Sequence, residues 1–400
     1  MKEEEKYVRK RIWKSKFQSL PFYICRIFKV KRKKIVFCCI EGTTGYTCNP
    51  KYIAEELIRR NSGYELVWLV NDMSRKFPSE IRVVHNTLFN RAYHLTTAKF
   101  WIDNSRKQLE VRKRKGQIYI QTWHAKLGFK PTCLDRGASF SKIAYLISKH
   151  DSDMIDYVLS NSKWYDDTLP TGMIYTGEAV RTGSPRCDIL VSDRTEIRKK
   201  IREDFGLPDN AKILMYAPTF RGGSQETDRK ISPNSFFPDY QRLLRALEKR
   251  FGDSWHLFLR LHPQLVVRNL DKGTSADKSE RIYDISRIDD MYEILAGCDA
   301  FMTDYSSAAF DAAVMKIPIF LYAEDYKEYE KERGKLLWNL RELPFLLAEN
   351  DKELERKIEH FDENAYREAL DRLFEDTQMV EDGKAASHAA DIITGNRMAR

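Results

Sequence analysis

Few folds accommodate the stretch Ala300 to Asp325, AFMTDYSSAAFDAAVMKIPIFLYAED. Phe301 and Met302 end a buried apolar run, Asp304, Tyr305, Ser306 and Ser307 make a polar turn, and Phe310, Ala313 and Val314 recur at helical spacing. Pro318 then opens a second apolar run, Ile319 to Tyr322. The pattern predicts strand, turn, helix and strand in succession, the repeating unit of an open parallel sheet. Ligands of such sheets bind at the carboxyl ends of the strands, and the unpartnered N–H groups that open a helix suit a phosphate. Ser306 is therefore either an ordinary N-cap or, with Ser307, part of a phosphate cradle.

The same alternation recurs along the chain. Ile35 to Ile40, Glu65 to Val70, Lys99 to Asn104 and Gln117 to Trp123 read as buried strands separated by helical stretches, and Lys212 to Tyr216 and Trp255 to Leu261 continue the pattern. This predicts an α/β protein with parallel sheets covered by helices on both faces. At 400 residues the chain exceeds one core and suits two domains, and a hydrophobic fraction of 42% excludes wholesale disorder. Seven Cys, unpaired in spacing and including the adjacent Cys38 and Cys39, read as buried thiols of a reducing compartment. The N-terminus has no apolar leader, and no run of eighteen apolar residues occurs, so neither signal peptide nor membrane span is expected and the protein is placed in the cytosol.

The net charge of +9 is concentrated: residues 1–34 hold thirteen Lys or Arg against three Glu, or +10, which leaves −1 for the remainder. Within that segment Ile12, Trp13, Phe17, Leu20, Ile24, Ile27 and Phe28 fall roughly on one helical face, with Pro21 set to split the helix. A basic amphipathic segment of this kind reads as a contact for an anionic membrane surface, the alternative being a solvated helix packed on the body of the protein. The chain shows no nucleic-acid-binding module, so nucleic acid is not the expected partner.

Polar groups stand at the ends of the expected strands. Thr43 and Thr44 lie in a loop too poor in glycine for a dinucleotide fingerprint, which favours contact with a substrate over a nicotinamide cofactor, and Asn49 reads as the cap of a helix with Pro50 at its first position. His124 follows the strand ending at Trp123, where it reads equally as a general base or a buried structural histidine. In the second half, Thr219 and Arg221 precede Gly222-Gly223, His262 follows a strand, Asp289 and Asp290 open a helix, and Ser306 and Ser307 follow another strand. A fixed guanidinium suits phosphate, and convergence of these groups on one sheet edge favours the phosphate cradle. Asp289, Asp290, Asp304 and Asp311 are too unevenly spaced to indicate a metal, and Asp304 is better suited to orienting its turn.

These residues resemble the CDP-glycerol glycerophosphotransferases of teichoic acid and related polymer synthesis. The resemblance runs from about Ile35 to the region of Asp351 and rests on Asn49-Pro50-Lys51, Gln121-Thr122-Trp123-His124, Gly183-Ser184-Pro185-Arg186-Cys187-Asp188, Ala217-Pro218-Thr219-Phe220-Arg221, Arg260-Leu261-His262-Pro263 and Thr303-Asp304-Tyr305-Ser306-Ser307 with the four residues after it. It implies two Rossmann-like domains facing across a cleft, the GT-B type. The expected division is a membrane-facing segment 1–34, an acceptor domain 35–195, a donor domain 196–375 and a helical tail 376–400. By the resemblance, His124 and His262 are catalytic, while Arg221, Thr219, Asp304, Ser306, Ser307 and Asp289 surround the donor phosphates. Thr43, Thr44, Asn49 and Trp123 fall on the acceptor side.

The implied donor is CDP-glycerol or CDP-ribitol, the implied acceptor a polyprenyl-diphosphate-linked saccharide at the cytoplasmic face of the membrane, and no further cofactor is expected. Ala125 in place of the family's usual Gly, and Leu343-Pro344-Phe345 in place of Pro-Gly-Pro, leave the alditol and the acceptor open, a capsular polymer included. A GT-B glycosyltransferase using a nucleotide sugar, and a non-catalytic membrane-bound scaffold, are the other readings.

Overall fold

The structure, a computed structural model, describes residues 2–219, 237–261 and 281–395. The chain divides into two compact units: unit 1 takes residues up to 126, 132–188 and those from 378 onward, and unit 2 takes 127–131 and 189–377.

Unit 1 is built on a seven-stranded parallel sheet. Its strands are β1 (Lys31–Cys38), β2 (Glu65–Val70), β3 (Ile81–His85), β4 (Ala98–Asp103), β5 (Ile118–Gln121), β6 (Tyr157–Ser160) and β7 (Glu178–Arg181), in the order β3-β2-β1-β4-β5-β6-β7. Unit 2 has six described strands, also parallel: β8 (Lys212–Tyr216), β9 (Trp255–Leu259), β10 (Ile282–Asp284), β11 (Ala300–Thr303), β12 (Ile319–Tyr322) and β13 (Leu346–Ala348), in the order β10-β9-β8-β11-β12-β13. Both are the Rossmann-like sheets expected of a GT-B chain. In each, successive strands are added first to one side and then to the other, so the order reverses between β1 and β4 and again between β8 and β11. At such a switch point the loops leave in opposite directions and open a crevice at the strands' carboxyl ends.

Burial on both faces explains the unbroken apolar strands. From β1, Val36 and Cys38 join Val67, Leu69, Trp101 and Tyr119 on one side, while Ile35 and Phe37, with the following Cys39, join Trp68, Ile102 and Ile53 of helix Cys48–Arg59 on the other. Ala389, Ala390 and Ile393 of helix Ala385–Thr394 belong to this second cluster. A helix of the expected helical tail 376–400 is thus part of the unit 1 core. Each fully buried Val, Leu or Ile contributes about 1.5–3 kcal/mol, enough to hold such a short helix in place.

Helix Thr195–Asp204 belongs to unit 2, where Arg198 and Arg202 both pair with Asp299, at 2.6 and 2.9 Å. Strands β3, β6, β7, β10 and β13 were not expected. β3 and β7 are sheet edges carrying Arg82, Glu178 and Arg181, and β13 has three residues, too few for a period to show.

The basic N-terminus forms helices Lys2–Gln18 and Leu20–Ile24, split where Pro21 enters the first turn of the second. Phe22 and Cys25 are fully buried in the unit 1 core, whereas Trp13 and Phe17 are each 62% and Ile27 77% exposed. No helix among the described residues is long and apolar enough to cross a membrane. All seven cysteines are buried thiols.

Candidate active site

At the unit 1 switch point three loops meet. The loop after β1 is strained: Ile40, Glu41 and Gly42 have φ of 43°, 55° and 80°, and the first two are residues that avoid this region. Cross-bonds from the loop after β4 hold it there, since the Ile40 N–H donates to Asn104 Oδ1 at 2.8 Å and the Glu41 N–H to Ser105 Oγ at 3.0 Å. Glycine is required at 42: a Cβ would lie 2.7 Å from Asn86 Nδ2, and that amide and Asn71's both donate to the Glu41 carbonyl. Thr43 and Thr44 spend their hydroxyls on the same loop, donating to the Ile40 and Cys39 carbonyls.

The loop after β4 is pinned from below. Asp103 accepts from the Ser105 N–H and hydroxyl at 2.8 and 2.9 Å and pairs with the buried Lys107, whose N–H donates to Asp151 at 2.8 Å. Burial raises the Asp151 carboxyl to about 7.

His124 follows β5 on the half-buried rim of the crevice. The residue before it, Trp123, has φ of 48°, a conformation an aromatic residue adopts only when its surroundings force it. Asn49 supplies part of that force: its Nδ2 donates to the carbonyls of Thr122 and Trp123 at 3.2 and 2.7 Å, and its Oδ1 accepts from the Arg186 N–H at 3.1 Å. This corrects the expectation that Asn49 caps a helix. Helix Cys48–Arg59 is preceded by Thr47 in extended conformation, and Asn49, already inside the first turn and 1% exposed, clamps the His124 loop.

The His124 ring is fixed by a 2.7 Å bond between Nδ1 and the Asn104 carbonyl. A carbonyl can only accept, so Nδ1 carries the hydrogen and Nε2 keeps its lone pair. Burial, and then the charges of Arg186 and Arg106, push the imidazole down to about 4. At neutral pH it is an uncharged base.

The Gly183-to-Asp188 run proves structural in most of its length. Gly183 has φ of 82°, the Ser184 N–H donates to Glu381 at 2.9 Å, and the Asp188 carboxylate accepts from the Ala385 and Ala386 N–H groups at 2.9 and 2.8 Å. It caps the C-terminal helix of unit 1.

At the unit 2 switch point Asp304 is the organiser. Its carboxylate accepts from the Thr219 N–H at 2.9 and 3.0 Å and from the Tyr305 N–H at 2.6 Å, tying the end of β8 to the end of β11, while Thr303 Oγ1 donates to the Ala217 carbonyl at 2.6 Å. Tyr305 is stacked on Tyr329 at 3.8 Å and donates to Asp325 at 2.9 Å. Ser306 and Ser307 are left half-exposed at the mouth of helix Ala308–Ala313, with Ser306 Oγ accepting from the Ala308 N–H at 3.3 Å. Ser306 therefore does cap, in part. The helix spans six residues, so its dipole is small and the local N–H groups and hydroxyls carry any attraction for phosphate.

Asp289 lies beyond β10, two strands away from β8 in the sheet, and Arg260 holds its loop by donating to the carbonyls of Ile285, Ile288 and Asp289. Asp290 caps helix Met291–Leu295 through the Tyr292 N–H at 3.0 Å. Arg221 and His262 lie outside the described residues. Among the described residues no cluster of His, Cys, Asp and Glu could hold a metal.

The structure thus joins Asn49, Trp123 and His124 in unit 1, and Thr219, Asp304, Ser306 and Ser307 in unit 2. Sequence reasoning passed over Asn104 and Ser105, which hold His124 and the strained loop. The signal was present in the polar run Asn104-Ser105-Arg106 after an apolar strand, the same signal that singled out His124.

Several curated proteins are similar to this chain over most of its length. A teichoic acid poly(glycerol phosphate) polymerase of Staphylococcus epidermidis is 28% identical over 95% of this chain and 53% of its own length. A teichoic acid glycerol-phosphate transferase of Staphylococcus aureus is 28% identical over 91% of this chain and 94% of its own. The chain spans about half the length of the polymerases it matches from Staphylococcus epidermidis and Bacillus subtilis. Among solved structures, a His-to-Asn variant of the wall teichoic acid polymerase TagF soaked with CDPG superimposes with a TM-score of 0.80 at 26% identity, covering 98% of this chain and 97% of that one. A family model described as CDP-Glycerol:Poly(glycerophosphate) glycerophosphotransferase matches residues 21–395 of the 400, and the chain belongs to that family.

Proposed function

We propose that the protein transfers glycerol phosphate from CDP-glycerol, or ribitol phosphate from CDP-ribitol, to a hydroxyl of a lipid-linked saccharide acceptor, releasing CMP, in teichoic acid or capsular polymer synthesis. The observation that carries this reading is the orientation of His124, whose Nδ1 is held by the Asn104 carbonyl so that Nε2 is left to take a proton. The acceptor oxygen forms a bond to the phosphorus that bears the alditol, its proton passes to His124 Nε2, and the bridging oxygen leaves with CMP. Such a transfer needs positioning and charge neutralisation more than covalent help. The N–H groups and hydroxyls around Ser306 and Ser307 face the donor phosphates in this reading, with Asp304 holding them in place. By the family resemblance Arg221 lies at the donor phosphates and His262 is catalytic, and in this reading both stabilise the leaving phosphate.

A protonated imidazole is disfavoured in this site until negative charge enters it, so an arriving phosphate itself raises the basicity of His124. The exposed Trp13, Phe17, Leu20, Ile24 and Ile27, set among thirteen cations, support attachment to an anionic membrane surface where a lipid-linked acceptor resides. The test is CMP release from each donor in the presence of a lipid-linked disaccharide, comparing wild type with His124→Ala. Donor-dependent release lost in the variant supports the proposal, and release from neither donor by wild type refutes it. Sedimentation with phosphatidylglycerol but not phosphatidylcholine vesicles tests the membrane assignment.

A further inference from the structure

Many cations of unit 1 meet a carboxylate. Arg91 meets Glu110 at 2.7 Å, Arg60 meets Asp391 at 2.6 Å, Lys107 meets Asp103 and Lys113 meets Asp156. Arg106 is half-buried in the loop that also holds His124, yet no carboxylate pairs with it among the described residues. One of its five donors, on Nη2, reaches Cys133 Sγ at 2.9 Å, and a thiol is a weak acceptor. The guanidinium carbon lies 4.5 Å from the centroid of the Trp123 ring, itself 4.7 Å from the His124 ring. The charge is close enough to His124 to contribute to holding its imidazole neutral.

A half-buried guanidinium is costly to leave without an anion, and its planar fork matches two oxygens of a phosphate. Its place over the Trp123 ring restrains the guanidinium, and Asn49 in turn holds Trp123 through its carbonyl, so the group is positioned before any ligand arrives. We propose that Arg106 is the anion-binding residue of a phosphate-ester site at the unit 1 switch point, holding a phosphate beside His124. As a step in catalysis this rests on the transferase reading above, whereas the binding site itself does not. The phosphate belongs either to the donor or to a phosphorylated acceptor, and the two are separable.

The experiment titrates the full chain with glycerol 3-phosphate, with inorganic phosphate as a second probe, by calorimetry and by following the His124 ring resonances. Wild type binds and shifts His124. Arg106→Gln binds roughly tenfold or more weakly, and Arg106→Lys, which keeps the charge but not the fork, falls between. Thermal unfolding of both variants shows whether the loop is intact, and the Lys variant carries the test if the Gln variant is unstable. In parallel, the Kd of CDP-glycerol and the KM of a phosphorylated acceptor are measured. Weakening confined to CDP-glycerol assigns the phosphate to the donor, and weakening confined to the acceptor assigns it there, either one supporting the site. Equal binding of glycerol 3-phosphate by wild type and both variants, with both substrate constants unchanged, overturns it. A chain that binds glycerol 3-phosphate through Arg106 but releases no CMP would sink the transferase reading and leave the site standing.

Discussion

At the unit 1 switch point an imidazole and a guanidinium stand on loops whose backbone is left-handed at Ile40, Glu41, Gly42 and Trp123. At the unit 2 switch point no non-glycine residue of the Asp304-to-Ser307 turn has positive φ, and one carboxylate gathers the N–H groups of two neighbouring strand ends. The sheet geometry is the same, and the chemistry placed on it differs. Unit 1 holds strained backbone beside the side chains to which the proposal gives proton transfer. Unit 2 arranges backbone donors and hydroxyls with little strain, which suits holding a ligand that does not itself exchange protons with the protein.

The sharpest way to break this contrast is to remove the base. His124→Ala should lower kcat by about 10²–10⁴-fold, the usual contribution of a positioned general base, with the Kd of CDP-glycerol nearly unchanged. A comparable loss in donor binding would show that unit 1 holds the donor as well. In the wild type the acid limb of kcat/KM should lie well below pH 6, since the free-enzyme imidazole is pushed down to about 4 and stays uncharged above that. A limb near the ordinary histidine value of about 6.5 would remove His124 from the role.

Asp304→Ala attacks the other side. The carboxylate is 2% exposed and serves two N–H groups, so its loss should cost about 3 kcal/mol of stability and weaken donor binding while leaving the His124 titration unmoved. Chemical denaturation and donor titration read the two effects. Asn49→Ala should cost about 1–3 kcal/mol, because it strips a fully used buried amide from the loop that forces Trp123 into its strained conformation. If the contrast holds, that variant lowers kcat more than it affects donor Kd. Smallest of all, Ser306→Ala should cost about 0.5–1 kcal/mol as a lost helix cap, together with a modest rise in donor KM. An unchanged KM would reduce Ser306 to a cap alone.

Much of this was legible without coordinates. Unit 2's Lys212–Tyr216 and Ile319–Tyr322 match their apolar runs residue for residue, because a strand buried on both faces leaves no polar position to blur its ends. The edge strands β3 and β7 escaped for the converse reason: each carries charge on a half-solvated face. Asn49 was misread because Asn before Pro is a strong cap signal, and its three actual partners, at Thr122, Trp123 and Arg186, lie far away in sequence. Arg106 was passed over because its significance is a missing partner, and a missing partner shows only when every neighbour is in place.

The sequence by itself determined that two parallel α/β sheets form, that polar residues end their strands, and that His124 and the Asp304-to-Ser307 turn are among them. Periodicity and turn chemistry are local, so they can be read locally. Only the tertiary structure decided the strand order, and with it which strand ends share a switch point. It also decided that helix Ala385–Thr394 joins the core of unit 1, and that the Asn104 carbonyl takes His124 Nδ1 and leaves Nε2 its lone pair. Those outcomes depend on contacts between residues tens to hundreds of positions apart, whose energies no local window of the chain contains.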